Sequence, residues 1–394
     1  MISRERSGRP IEGTHPFRDF VLKIHSRCDL SCDYCYIYTM TDQSWRTRPR
    51  VMSRETIDHS AERIAEHIRE HRLQSVQVIL HGGEPLLAGL ELVAYAVTRT
   101  REAVGGAADV NVRIQTNGVR LTKSFLRLFD RLGVRVGVSL DGDRAAQDRH
   151  RHTTSGQGSH AAVSVALASL ASERYRHLFS GLLCTVDLRN DPIATYEALL
   201  EFSPPAIDFL LPHGNWSSPP PGRTADTAFT PYADWLIPVF DRWYGTRPPE
   251  TRIRSFADII NVLLGGQSRT EGTGLTPVCV AVIETDGAIE QSDLLKAAYP
   301  GAPATGLHVA VDRFDQALRL PSVAVRQLGA GALADTCLSC PVHRVCGGGL
   351  YPHRYRAGTG FASPSVYCAD LYRLITHIQR QLSADLAALR ARRP

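Results

Sequence analysis

The chain has 394 residues, with 45 Lys and Arg against 40 Asp and Glu for a formal charge of +5. That length accommodates a barrel-sized domain and a smaller one, and so mild a basic excess, much of it in the terminal Arg390, Arg392 and Arg393, argues against a nucleic-acid partner, which shows a clustered cationic face. No segment approaches the roughly 18 uninterrupted apolar residues of a membrane span, and the polar, Arg-rich N-terminus lacks an apolar signal core. A cytoplasmic protein is therefore expected, and its nine cysteines point to metal rather than to disulfides.

After an N-terminal extension (1–17), short β-rich runs alternate with helical patterns over 18–215, the sign of βαβ units and a parallel sheet. Strands are predicted at 20–27, 76–80, 111–115, 135–140, 179–186 and 207–212. Helices are predicted between them at 53–69, 86–101, 122–132, 159–171 and 192–201. The first helix is the clearest, with Ser53 as its cap and Ile57, Ala61, Ile64, Ala65 and Ile68 as its apolar stripe. Six βα units rather than eight imply an α/β fold of open partial-barrel type, whose chemistry gathers at the C-terminal ends of the strands. The Ser- and Pro-rich run at 217–222 opens a linker (216–270) that carries helices at 232–243 and 256–264. From there a small cysteine-rich domain (271–394) closes with a helix at 364–389.

Directly after the first strand, Cys28, Cys32 and Cys35 form a C-x3-C-x2-C triplet followed by Tyr36. Three thiolates so close can hold three irons of a cubane cluster and leave the fourth iron open. A structural zinc site is the alternative; such sites close with four ligands, and only His25 lies near enough in sequence to serve. The second strand ends in Gly82-Gly83-Glu84-Pro85, where glycines admit a close approach to backbone and Glu84 adds an acceptor for an ammonium group. Gln115-Thr116-Asn117-Gly118 and Ser139-Leu140-Asp141-Gly142 end the third and fourth strands; taken singly, both also read as ordinary turns. In this order the motifs resemble those of the radical SAM superfamily. The resemblance implies a partial (β/α)6 TIM-like barrel in which the cysteine triplet carries a [4Fe–4S] cluster that chelates S-adenosylmethionine. It assigns cofactor contacts to Tyr36, Gly82, Gly83, Glu84, Gln115, Thr116, Asn117, Ser139, Asp141, Arg151 and Leu211. Arg151 belongs to a His-Asp-x-x-Arg-like element in which Gln147 replaces the histidine, and Arg149 competes with it for the role.

A second group, Cys337-x2-Cys340-x5-Cys346 followed by Cys368, supplies four thiolates for a further cluster or, alternatively, a zinc ion. It resembles the SPASM domain of peptide and sulfatase maturases. Ser292 and Leu350 stand where that domain carries cysteines, so one auxiliary [4Fe–4S] cluster is expected rather than two, and Cys279 and Cys184 read as buried thiols. Asp293, beside Ser292, sits where sulfatase maturases place a proton-accepting aspartate; an ordinary turn carboxylate is the alternative. The runs Gly347–Tyr355, Pro364–Leu371 and Glu284–Gln291 resemble FxsB-type maturases that build cyclophane crosslinks into ribosomally made precursor peptides.

This resemblance implies reductive cleavage of S-adenosylmethionine to a 5′-deoxyadenosyl radical, removal of hydrogen from a side-chain β-carbon, and closure of a C–C bond onto an aromatic ring. It also implies an external electron donor. Residues 1–17 are too short for the leader-binding module of many such enzymes, which leaves a separate leader-binding protein, an exposed strand edge or no leader contact as the alternatives. Thioether formation, epimerisation or sulfatase-type Ser/Cys oxidation use the same initiator and remain open, as does a non-enzymatic iron–sulfur or zinc scaffold. Trp216, Trp235 and Trp243 are candidates for gripping substrate rings, or for ordinary packing.

Overall fold

The computed structural model describes residues 14–223, 229–268 and 270–391. Most of the N-terminal extension, together with Arg392 and Arg393, lies outside them. Six parallel strands follow the predicted order: β1 (Asp19–His25), β2 (Ser75–Gly82), β3 (Asp109–Thr116), β4 (Arg135–Ser139), β5 (Phe179–Thr185) and β6 (Ala206–Leu210). They are neighbours in sequence order, so each crossover carries the chain back over the outer face to start the next strand. The helix Arg54–His71 shows how local chemistry sets the bounds. Ser53 accepts a hydrogen bond from the Thr56 amide at 3.0 Å, the predicted apolar stripe is buried, and the chain leaves through Arg72 at φ 49°.

Four more strands complete a ten-stranded sheet: β7 (Arg252–Ile253), β8 (Val280–Ile283), β9 (Ala288–Glu290) and β10 (Ala304–His308). The order is β10-β9-β8-β1-β2-β3-β4-β5-β6-β7. β8 lies parallel to β1, and β9 and β10 continue antiparallel beyond it. The division proposed at residue 271 thus cuts through a continuous sheet, because the β1 edge is capped by strands from the C-terminal third. These strands are three to five residues long, too short for a periodic signal to register.

The helix predicted at 86–101 starts as a single 3₁₀ turn, Pro85–Ala88, before its regular part, Gly89–Val104. The last helix begins at Cys368 rather than 364. Trp235 and Trp243 are buried, with their indole N–H groups on the Asn190 and Thr251 carbonyls, so both serve packing. Among the described residues no helix is long and apolar enough to cross a membrane.

Candidate active site

The predicted site residues converge on one end of the barrel, where β1 to β4 end and the loops after them meet. The cysteine loop is braced from both sides. The Arg27 guanidinium stacks 5.0 Å from the Trp45 ring and donates to the Trp45 carbonyl at 2.7 Å. The Gly83 and Glu84 amides donate to the carbonyls of His25 and Arg27 at 2.8 and 2.9 Å. The double glycine is sterically required: a Cβ on Gly82, at φ 135°, would meet the His25 oxygen at 2.1 Å, and one on Gly83 the Tyr38 hydroxyl at 1.9 Å.

Burial pushes the Cys28 thiol up to about 12 and the Cys32 thiol to about 11, so coordination to a cation is what would hold them as thiolates. N–H groups already point at this sulfur cluster: the Leu30 amide lies 3.4 Å and the Asn117 side-chain nitrogen 3.6 Å from Cys28 Sγ. A tetrahedral zinc with bonds of about 2.3 Å would draw its sulfurs to about 3.8 Å from one another. Among the described residues the only three or more candidate ligand atoms gathered within 4.8 Å belong to other side chains, so the three thiols are not drawn together as one zinc ion would hold them.

Glu84 is held by the loops around it. Its carboxylate is fully buried and accepts from the Leu86 amide at 3.0 Å, the Asn117 amide at 2.7 Å and the Thr116 hydroxyl at 2.7 Å. Both oxygens therefore accept from loop groups, and Glu84 and Thr116 tie the ends of β2 and β3 together. Asn117 holds Asp29 at 2.8 Å inside the cysteine loop. Gln115 donates to the Ser139 hydroxyl at 3.1 Å, and Leu211, just past β6, is half-buried against the core.

Arg151, not Arg149, faces the cysteines. Arg149 turns away to Asp187 at 2.7 Å. The Arg151 side chain donates to the Tyr34 hydroxyl at 2.9 Å and lies 4.0 Å from Asp141, which Tyr34 also contacts. Burial would weaken its positive charge, but Tyr34, Asp141 and Cys32 around it raise its affinity for the proton. Its Nε is buried without a hydrogen-bond partner among the described residues, which suits a guanidinium kept for an anionic ligand group. Gln147, in the histidine's place, accepts from the Asp141 amide at 2.9 Å and donates to Ser159 at 2.9 Å, fixing the β4 exit. Tyr34 was absent from the predicted set, although an aromatic within the cysteine triplet was a signal for it.

Tyr36 donates a 2.8 Å hydrogen bond to Asp293. The Lys23 ammonium lies 3.8 Å from the same carboxylate oxygen and 3.0 Å from Glu284. Burial pushes the Asp293 carboxyl up, but Lys23, His81 and the Tyr36 bond outweigh it and hold the group below the ordinary value. Lys23 was also missed; the signal was a lysine within an otherwise apolar strand. Four rings join the two cysteine groups in space: Tyr36 to His213 at 4.8 Å, His213 to His353 at 5.8 Å and His353 to Tyr367 at 4.9 Å between centroids. Tyr36 follows Cys35 in sequence, and Tyr367 precedes Cys368.

Cys337, Cys340, Cys346 and Cys368 line one small cavity with Gly348, Ser365 and Tyr372, while Cys279 lies beside Arg18 and Asp19 and Cys184 is a buried residue of β5. The four-thiol set therefore assembles without Cys279. A larger cleft of about 760 Å³ opens next to Cys368, between Trp216 and the last helix.

The radical SAM superfamily model matches residues 22–182, the stretch that contains the cysteine triplet and the ends of β1 to β4. Residues 22–182 belong to the radical SAM superfamily. The protein is a radical SAM enzyme, and that superfamily's S-adenosylmethionine and [4Fe–4S] cluster are its cofactors. The chain is 25% identical over 389 residues to a serine-type anaerobic sulfatase-maturating enzyme of Klebsiella aerogenes, covering 95% of this chain and 89% of that one. It is 24% identical over 279 residues to a cysteine-type counterpart from Clostridium perfringens, covering 68% and 72%. Its fold superposes on native anSMEcpe with bound AdoMet at a TM-score of 0.80 and 19% identity, over 93% and 98% of the two chains. The likeness to Streptococcus suis SuiB bound to its precursor peptide SuiA is looser, at a TM-score of 0.57 and 12% identity over 90% and 76%.

Proposed function

We propose that this radical SAM enzyme oxidises the β-carbon of a Ser or Cys side chain in a peptide or protein substrate, a reading supported by its likeness to serine-type and cysteine-type anaerobic sulfatase-maturating enzymes. The observation that carries this reading is the buried Tyr36–Asp293 pair beside Lys23, a carboxylate kept ionised against the tyrosine that directly follows Cys35. Loaded with their clusters, the two cysteine groups supply one-electron chemistry: a cofactor-derived radical that takes a hydrogen atom from an unactivated C–H bond, and a sink for one further electron.

The chain's own residues do the rest. Cys28, Cys32 and Cys35 hold the first cluster. With the cofactor bound, Gly82 and Gly83 would let the backbone approach it, Arg151 would pair with its carboxylate, and Gln115, Asn117, Ser139, Asp141 and Leu211 would line the remaining contacts. Cys337, Cys340, Cys346 and Cys368 hold one auxiliary cluster. Once the substrate β-carbon has lost a hydrogen atom and an electron, the proton of its hydroxyl or thiol must leave for a C=O or C=S bond to form. Asp293 takes that proton, Tyr36 orients the receiving oxygen, and Lys23 keeps it ionised beforehand.

Cyclophane formation is the second reading, favoured by the runs Gly347–Tyr355 and Pro364–Leu371. A precursor peptide, an external reductant and a separate leader-binding protein belong to it. Anaerobic reaction with a Ser- or Cys-containing peptide, followed by mass spectrometry and hydrazide labelling, separates the two. Capture by the hydrazide marks an aldehyde and supports β-carbon oxidation. Loss of two hydrogens without capture, and with fragmentation blocked between an aromatic residue and its neighbour, would replace that reading with crosslinking.

A further inference from the structure

At the opposite end of β1 from the cysteine triplet, three side chains converge whose chemistry the radical reaction does not use. His67 and His71 are four residues apart on the helix Arg54–His71, which puts them one turn apart on one face. Their ring centroids are 4.4 Å apart. Asp315, from the short helix Phe314–Leu318 after β10, places a single oxygen 3.1 Å from His67 Nδ1 and 2.7 Å from His71 Nε2. All three ligand atoms lie within 4.8 Å of one another, the only such group of His, Cys, Asp or Glu among the described residues.

We propose that His67, His71 and Asp315 form a binding site for a divalent transition metal, zinc by preference, that clamps the barrel helix Arg54–His71 to the C-terminal third of the chain. Two imidazoles and a carboxylate are a borderline-soft donor set, and they leave a fourth position for water. Zinc bonds of about 2.0–2.1 Å in tetrahedral geometry separate ligand atoms by about 3.3 Å, so the observed 2.7 and 3.1 Å need only open by a few tenths of an ångström. His67 is held in place by the rings of Phe17, Phe20 and Phe314 at 5.8, 5.9 and 6.0 Å. Its Nδ1 shares a proton with Asp315 and its Nε2 has no hydrogen-bond partner among the described residues, so an ion that displaces that proton gains the Nδ1 lone pair without breaking a second hydrogen bond.

The surroundings fix the two helices without filling the site. Arg313 bridges Glu66 and Glu70 at 2.6 and 2.9 Å, and Arg63 donates to the Val309 carbonyl at 3.0 Å. His71 is partly exposed and gives an ion a way in.

The test uses the full chain with both iron–sulfur clusters intact, stripped of loosely bound metal and then exposed to zinc chloride alone. Zinc per chain after gel filtration, iron per chain and thermal unfolding are read for the wild type, His71→Ala, Asp315→Asn and a control, His177→Ala, at an exposed histidine. The expected result is one zinc per wild-type and control chain, with a midpoint raised by about 3 °C at saturation. Both the zinc and the shift should be lost in the two triad variants at unchanged iron content. The isosteric Asp315→Asn keeps the test decisive where His71→Ala fails to fold. Equal zinc in wild type and Asp315→Asn, or no retained zinc in the wild type, overturns the proposal and leaves the triad a hydrogen-bonded clamp.

Discussion

Replacing Lys296 by methionine tests what holds the active-site floor together. Its ammonium is completely buried, 3.2 Å from Glu284, 3.5 Å from both Asp42 and Glu290, and 3.1 Å from the Ser44 hydroxyl. Glu284 bridges it to Lys23, so this network runs from Lys296 to Asp293. Methionine keeps most of the volume but leaves Glu290 with Arg48 alone, 3.1 Å from one oxygen, while its second oxygen has no hydrogen bond of its own among the described residues. Removing one partner from a buried ion cluster costs about 3–5 kcal/mol. At about 2.1 cal/mol/K of unfolding entropy per residue, a cooperative chain of this length would lose about 5 °C in midpoint. The loss should also depend on pH. Burial and the neighbouring Glu284 push the Glu290 carboxyl up to about 7, so the folded state holds this proton above the ordinary value near 4.5. A group raised in the folded state contributes stability below its unfolded value and loses it as pH rises through its folded one. Without Lys296 that folded value rises further, so the variant should fall behind wild type more at pH 8 than at pH 6. Anaerobic thermal unfolding at both pH values, with Lys296→Met/Glu290→Gln as the rescuing double variant, reads this directly. A single-variant loss below 1 kcal/mol, or a double variant no better than the single, would refute the reasoning.

Gly83→Ala should cut bound iron by about half, because its Cβ would strike the Tyr38 hydroxyl and the Arg27 backbone at the root of the cysteine loop; iron analysis of the reconstituted protein checks it. Arg151→Lys keeps the charge but removes the unpartnered Nε and the planar fork, so S-adenosylmethionine should bind about tenfold more weakly by calorimetry. Asp293→Asn removes the proton acceptor while leaving its hydrogen-bond partner Tyr36 in place. Peptide oxidation should then fall at least about 100-fold, with deoxyadenosine still released, when both products are measured by chromatography from one reaction.

The sequence by itself determined the six parallel strands, the cysteine triplet and the glycine turn after β2. Each is set by short-range chemistry: an apolar run, a ligand spacing, a residue free to take positive φ. It also brought Cys337, Cys340, Cys346 and Cys368 into one group, since three of them lie on adjacent turns. Side-chain direction was beyond it. Three donors from two loops meet on the Glu84 carboxylate, and Tyr34 rather than Tyr36 reaches Asp141 and Arg151. The capping of β1 by β8, the pairing of Tyr36 with Asp293 across 257 residues and the meeting of His67 with Asp315 across 248 were decided only by tertiary structure. Contacts between distant segments follow from how the whole sheet closes and which buried charges must find partners, and neither is encoded in a local window.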